Sequence, residues 1–489
     1  MMDSTKYYKA RFIIVWHENQ HKTLENGYLS VKGDKIEGYY SVLPDGSNYE
    51  DLGNVAITPG FINLHSHPSE VFALKSYRED IGNPNFYEGT LYDYALVLPF
   101  TERSAFVQAK LNIAEMLKSG CTTQLICGGG YSRVEAQIAG EMGVRAYVGA
   151  AIRAGDPKEE KSIWESPDGH SIIYNFNEEA GMDRLAEAVE LVKEMRGSYD
   201  GRVNAILAPT QTMTCTPKML KETRKWADKL GGPITIHGSE APTEFESCIR
   251  MFGQTPVEYM KDNGMLGEDV IIAHCLYIAG HSRIYMAGNR DLKLLGESGA
   301  TVAHCPWALA RSGNFLQSFA GYMKAGVNLG IGTDTFPSDY LLEMRCAASI
   351  GKIADRSTFA VSAKMVFDAA TIGGAKALGR KDIGRLEKGA KADFVVFKLD
   401  SIEMSPVRDV VKNIVYSATR HSVKDVFVDG MRIVEDGVIS GFDERALSEE
   451  LQELSEESWR NTSKYDRMGR AVDELSPLSA PTFTEGEKS

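Results

Sequence analysis

The sequence predicts an α/β protein built on a (β/α)8 barrel. Three observations lead there. About eight short apolar runs read as strands, near 57–64, 122–127, 145–151, 203–208, 233–237, 269–274, 300–304 and 327–333. Stretches of helical character separate them, and repeated strand–helix units imply parallel strands with helical crossovers. Finally, four His and one Asp fall where strands would stop. A barrel of this kind gathers its active site at the C-terminal ends of its strands.

The first run, Val55 to Leu64, leads into His65-Ser66-His67. Side chains at i and i+2 share one face of a strand, so two imidazoles aim at one point and can hold one metal ion. Alone, such a pair is more often two unrelated histidines. Here Pro233–Ile236 leads into His237, Val270–Ala273 into His274, and Val327–Thr333 into Asp334. The chain has only 10 His, so four at strand ends is a selective placement. Between strands, Thr216 to Leu230 reads as a helix, with Thr216 as N-cap and Pro217 at its first position.

Composition narrows the classes. With 489 residues, 43% hydrophobic and 25% charged, the chain is ample for a large core. A formal net charge of −13 speaks against nucleic acid or an anionic membrane as partner. Met1 to Arg11 lacks the apolar core of a signal peptide, and no apolar run approaches membrane-spanning length. The 7 Cys are scattered without a C-x-x-C. The apolar settings of Cys121, Cys127, Cys275 and Cys305 suggest buried, reduced thiols in a cytoplasmic protein. Gly128-Gly129-Gly130 lacks any phosphate-binding pattern and reads as a tight turn.

Several segments lie outside the barrel pattern. Lys75 to Phe100 is rich in aromatics (Tyr77, Phe86, Tyr87, Tyr92, Tyr94) and reads as a loop over the site mouth or an interface. Asp156 to Asp183, with Trp164, His170 and Tyr174, reads as a lid or a tolerated insertion. Residues 439–472 form an amphipathic helical pattern, and 474–489 have the composition of a disordered tail.

Five motifs together carry a family resemblance: Thr58 to His67, His237-Gly238-Ser239-Glu240, His274, His304-Cys305-Pro306 and Gly332-Thr333-Asp334. The chain resembles the amidohydrolase superfamily, in the branch of cytosine deaminase, guanine deaminase and the triazine (chlorohydrolase-like) hydrolases. The likeness extends to about residue 440. It implies one divalent ion, Zn2+ with Fe2+ as the alternative, held by His65, His67, His237 and Asp334. It also implies that His274 faces the attacking water and that Glu240 shuttles protons. Binuclear relatives use a Lys on strand four; Val203 to Pro209 has none, which favours one metal. The resemblance further implies a small β-sandwich built from both chain ends. The expected domains are 1–57 and 384–438 for the sandwich, 58–383 for the barrel, and 439–489 for a helix and tail. A homo-oligomer, dimer or higher, is expected by the same analogy.

The chemistry follows from these residue types. A divalent ion with an open position lowers the pKa of its water to roughly 7, so hydroxide is available at neutral pH. Attack on a ring C–NH2, a C–Cl or an amide carbon is then feasible, with Glu240 moving the proton and Asp334 and His274 orienting the water. The loops after strands four and seven depart from the family pattern. Thr210-Gln211-Thr212 replaces a substrate-binding His, and Trp307 and Arg311 follow His304-Cys305-Pro306. Gln211, His304, Trp307 and Arg311 are therefore the candidate substrate contacts, Arg311 or Arg78 as a carboxylate clamp. Three functions remain open: a deaminase or dechlorinase of a nitrogen heterocycle, a hydrolase of a cyclic amide, urea or carbamate, and an inactive scaffold. The full set of candidate ligands with Glu240 argues against the last.

Overall fold

The structure, a computed structural model, describes residues 4–80, 101–155, 163–165, 172–465 and 469–483. Eight strands close a parallel barrel: β1 (Phe61–Ser66), β2 (Cys121–Cys127), β3 (Arg145–Ile152), β4 (Val203–Pro209), β5 (Ile234–Gly238), β6 (Val270–His274), β7 (Thr301–His304) and β8 (Asn328–Ile331). Ladders run parallel all the way round, with β8 pairing back onto β1. Helices cover the outside, so the strands are buried on both faces and read as continuous apolar runs.

One expected strand is divided. The run from Val55 is not a single barrel strand. Val55–Pro59 pairs antiparallel with Phe394–Lys398 and parallel with Lys6–His17, and the barrel begins only at Phe61. Gly60 is the break. Its N–H reaches Asp393 O at 3.0 Å while the next, that of Phe61, reaches Gly120 O at 3.0 Å. A Cβ at position 60 would lie 2.1 Å from Thr122 Oγ1, so only glycine fits this crossing from one sheet to the other.

Val55–Pro59 belongs to a nine-stranded sheet assembled from both ends of the chain. Lys6–His17, Gln20–Lys32, Lys35–Tyr40 and the short Glu50–Asp51 come from the first end; Phe394–Lys398, Val423–Val428, Met431–Glu435 and Val438–Ile439 come from the second. Its own core includes Ile13, Leu29, Ile57, Phe394 and Phe427, the last two rings stacked at 4.1 Å. Arg145, at the start of β3 and 1% exposed, ties the barrel to this sheet. Its guanidinium donates to both Asp393 oxygens at 2.9 and 3.1 Å and to Asp429 Oδ1 at 2.7 Å.

Thr216 caps the helix Pro217–Leu230, as its sequence predicts. The C-terminal helix is shorter than the amphipathic pattern suggests, spanning Glu444–Arg460. It lies on helix Glu102–Lys118 through the ion pairs Arg103–Glu450 and Lys118–Glu444. Of the two loops singled out, Ile163–Glu165 and Ile172–Tyr174 form a small antiparallel hairpin. Tyr77 is buried in a cluster with Phe336, whereas Phe86, Tyr87, Tyr92, Tyr94 and His170 lie outside the described residues. All seven cysteines are free, and six are buried. Among the described residues no helix is long and apolar enough to cross a membrane.

Candidate metal centre

The C-terminal rim of the barrel brings the four expected ligands together with His274. His65 is the penultimate residue of β1 and His67 lies one residue beyond that strand; His237 lies on β5 and His274 closes β6. Asp334 stands three residues past β8. The chain keeps pairing across this seam: Thr333 N–H and Asp334 N–H both donate to His65 O, at 3.0 and 2.9 Å, and His67 N–H to Asp334 O at 3.1 Å. Asn63 locks the same seam. Its Oδ1 accepts from His65 N–H at 3.2 Å and Thr333 N–H at 3.1 Å, and its Nδ2 donates to Thr333 Oγ1 at 2.9 Å. Asp334 and His274 both take left-handed backbone, φ 57° and 71°. Asp and His enter this region more readily than most residues, and such strain collects at functional sites.

The ligand atoms converge. Those of His65, His67 and His237 lie within 4.8 Å of one another, as do those of His65, His274 and Asp334. His67 Nδ1–H donates to Cys127 O at 2.6 Å, and His237 Nδ1–H to Thr210 O at 2.5 Å. Each proton is thereby placed on Nδ1, and each Nε2 turns a bare lone pair inward. Those two Nε2 atoms stand 3.3 Å apart, and His67 Nε2 is 3.2 Å from His65 Nε2. Lone pairs facing one another repel unless a cation lies between them. Tetrahedral Zn2+ with Zn–N of about 2.0–2.1 Å sets its ligand nitrogens about 3.3 Å apart, which matches.

Electrostatics agree. Burial drives the His65 imidazole well below its ordinary pKa and that of His237 to about 4, so both are neutral, as ligands must be. Burial works against ionisation of Asp334, but the hydrogen bond from His65 and the neighbouring imidazoles hold its carboxyl well below the usual range. Asp334 Oδ1 lies 3.3 Å from His65 Nε2 and 3.6 Å from His67 Nε2. Both ring nitrogens of the fully buried His274 lack hydrogen-bond partners. Orphaned buried nitrogens cost about 1–3 kcal/mol each, which a bound ion, water or substrate would recover.

Glu240 lies beside this cluster, its Oε1 3.8 Å from His274 Nε2 and its Oε2 accepting from Gln211 Nε2 at 3.3 Å. Of the expected substrate contacts, Gln211 therefore reaches the site. His304 ends β7, buried against Phe319, and burial lowers its pKa to about 3. The Trp307 indole nitrogen is buried without a partner, and the Trp307 N–H donates to Glu343 Oε2 at 2.9 Å. Arg311 is already engaged: Nη1 contacts Glu79 at 2.9 Å and Phe336 O at 2.7 Å, and Nη2 contacts Thr335 at 3.0 Å. It clasps the loop after β8, so a substrate carboxylate would have to displace Glu79.

Three buried acids at the rim escaped the sequence reading: Glu135, Glu244 and Glu343, each 1% exposed or less. Each sits in the early turns of a helix, where an acid reads as a complement to the helix dipole. Asn63 was missed as well, although an Asn inside an apolar strand is itself a signal.

A closed parallel barrel with three imidazoles and a carboxylate converging at its C-terminal rim defines a metal-dependent hydrolase scaffold of the kind known from amidohydrolases. The amidohydrolase family model matches residues 56–433, and the chain belongs to that family. It is 31% identical over 392 residues to a 5-methylthioadenosine/S-adenosylhomocysteine deaminase of Thermococcus onnurineus, covering 79% of this chain and 84% of the relative. It is 27% identical over 439 residues to a 5'-deoxyadenosine deaminase of Methanosarcina barkeri, covering 89% and 94%. The fold is shared with a zinc-bound atrazine chlorohydrolase of Arthrobacter aurescens, at TM-score 0.77 and 20% identity over 92% of this chain and 100% of that one. The chain is accordingly an amidohydrolase, a family acting on non-peptide carbon–nitrogen bonds, and these curated relatives are named as deaminases.

Proposed function

We propose that this amidohydrolase is a mononuclear hydrolytic deaminase of an aminated purine nucleoside, with 5'-deoxyadenosine-type compounds as substrates. The observation that carries the reading is the placement of Glu240 against His274 and Gln211, beside a cluster of imidazoles in which His67 and His237 turn their Nε2 lone pairs inward. The substrate class is taken from the relatives, which are named as deaminases of adenosine derivatives.

His65, His67, His237 and Asp334 hold the ion, Zn2+ by the nitrogen-rich donor set. Bound there, it supplies a water that ionises near neutral pH and an electrophilic partner for the attacked ring. Everything else is the work of the chain. The carbonyls of Cys127 and Thr210 keep His67 and His237 in one tautomer. Asp334, held ionised, accepts the hydrogen bond that orients the water. Glu240 takes the water's proton as the C–O bond forms at the amino-bearing carbon. It returns that proton to the amine as the C–N bond breaks, so ammonia leaves neutral. His274 presents its ring to the same space and keeps the water and the ring aligned.

The test is metal analysis of the purified protein, followed by ammonia release from 5'-deoxyadenosine, 5-methylthioadenosine, S-adenosylhomocysteine and atrazine. About one metal per chain with ammonia from a nucleoside is the expected result. Glu240→Gln keeps the metal and loses about 10²–10⁴-fold in kcat. Chloride release from atrazine with no ammonia from any nucleoside would move the chain to the dechlorinases, and an unchanged kcat in Glu240→Gln would remove the proton role.

A further inference from the structure

The tripeptide after β4 meets the loop after β5 at three consecutive residues. Thr210 O fixes His237 Nδ1–H. Gln211 bridges to His237 through the backbone and donates its side chain to Glu240 Oε2. Thr212, fully buried, donates its hydroxyl to Glu244 Oε1. Glu244 completes the circuit, because its Oε2 accepts the backbone N–H of Glu240 at 2.6 Å. The Thr212 hydroxyl also lies 3.5 Å from Cys248 Sγ, one turn further along the same helix.

The local sequence explains why an acid is needed there. Helix Pro242–Phe252 starts with Pro at its first position, after Ala241, whose side chain cannot cap. A carboxylate at the third helical position usually folds back onto the cap residue's own N–H. Here it reaches one residue further, to Glu240. Ser239, just before, adopts left-handed backbone with φ 55°, so this loop makes a sharp turn out of the barrel. The Glu240 side chain is 30% exposed, so it depends on Gln211 at its carboxylate and on the hold at its backbone N–H.

We propose that Glu244 is a positioning residue for the reaction: its buried carboxyl ties the Glu240 backbone to Thr212 and so fixes where the Glu240 carboxyl stands over the ligand cluster. This rests on the role assigned to Glu240 above. A displacement of about 1 Å in a reacting group can cost about 10²-fold in rate, so the loss is expected in kcat. Gln at 244 keeps an oxygen for the Glu240 N–H and an NH2 that the Thr212 hydroxyl can accept. Ala keeps neither.

The test uses the metal-loaded full chain with Glu244→Ala, Glu244→Gln and Thr212→Val, and Glu240→Gln as control. Hydrogen exchange at the Glu240 amide is read alongside kcat and KM for whichever nucleoside is turned over fastest. In Glu244→Ala, exchange at Glu240 is expected to speed up at least about tenfold and kcat to fall about 10–100-fold, with KM within about threefold and metal content unchanged. Glu244→Gln restores both readouts to within about threefold, and Thr212→Val falls between. If Glu244→Ala keeps full kcat while Glu240→Gln is inactive, the positioning role is wrong and the Glu240 reading stands. If Glu240→Gln keeps its activity, the reading of the site fails first. If Glu244→Ala does not fold, unchanged kcat and exchange in Thr212→Val overturn the proposal.

Discussion

Glu135→Gln is expected to stabilise the protein at alkaline pH and leave it unchanged in acid. Glu135 is fully buried in helix Ser132–Glu141 behind the loop that follows His67. Its Oε1 accepts from Ser69 N–H at 3.3 Å and Ser69 O–H at 2.6 Å, and its Oε2 has no partner. Burial raises its pKa from 4.5 to about 7; the Ser69 hydrogen bonds oppose this and the charge of Glu70 adds to it. The folded chain therefore holds a proton that the unfolded chain releases above its ordinary pKa. Stability falls as pH rises from about 4.5, and the loss is complete above about 7. At 1.36 kcal/mol per pH unit the cost reaches about 3 kcal/mol. Gln cannot ionise and keeps an oxygen for Ser69, so the variant avoids that cost. With about 2.1 cal/mol/K of unfolding entropy per residue, 3 kcal/mol in a chain of this size is about 3 °C in Tm. Thermal melts of both proteins at pH 5 and pH 8, metal-free, check it. A gap of about 3 °C at pH 8 that shrinks toward zero at pH 5 is expected. An equal gap at both pH values would refute the argument, because it would make the effect one of packing and not of charge.

Two further perturbations separate site from scaffold. His237→Ala leaves two imidazoles and Asp334 as ligands and is expected to drop metal content below about a tenth of wild type, read by elemental analysis after dialysis. Full occupancy would refute the ligand assignment. Arg145→Met leaves Asp393 without its buried guanidinium, while Asp429 keeps Lys391 at 3.1 Å, and is expected to cost about 3–5 kcal/mol, read from the urea midpoint. Adding Asp393→Asn and Asp429→Asn to that variant recovers part of the loss; no recovery would mean the side chain's volume matters more than its charge.

Much of the fold could be read because a parallel barrel strand is buried on both faces and so spells itself as an apolar run. The bounds of β2 to β7 lie within a residue or so of the sequence reading, and the histidines at the ends of β5, β6 and β7 stand out against so much aliphatic side chain. The reading failed where apolar character did not change but the partner did. Val55 to Leu64 is mostly apolar throughout, yet it serves two sheets, and only Pro59-Gly60 marks the change. At the other seam, Asn328–Ile331 is shorter than the run to Thr333: Gly332 N–H still reaches His304 O, but Thr333 and Asp334 N–H both turn to His65 O. Contacts between loops were illegible for a different reason. Glu244 meets Thr212, 32 residues earlier, and Arg311 meets Glu79, 232 residues earlier, and no local pattern encodes either meeting.

The division at Gly60 has a consequence for the metal centre. Between Pro59, fixed in the outer sheet, and His65 run only Gly60 and four residues of one extended strand. That sheet works as a datum for the ligand: a slip of one residue would turn Leu64 or Ser66 toward the ion in place of His65. Lesions far away, in strands contributed by the opposite end of the polypeptide, can therefore present as loss of metal with every ligand intact. The barrel carries the candidate ligands, but their register is kept outside it.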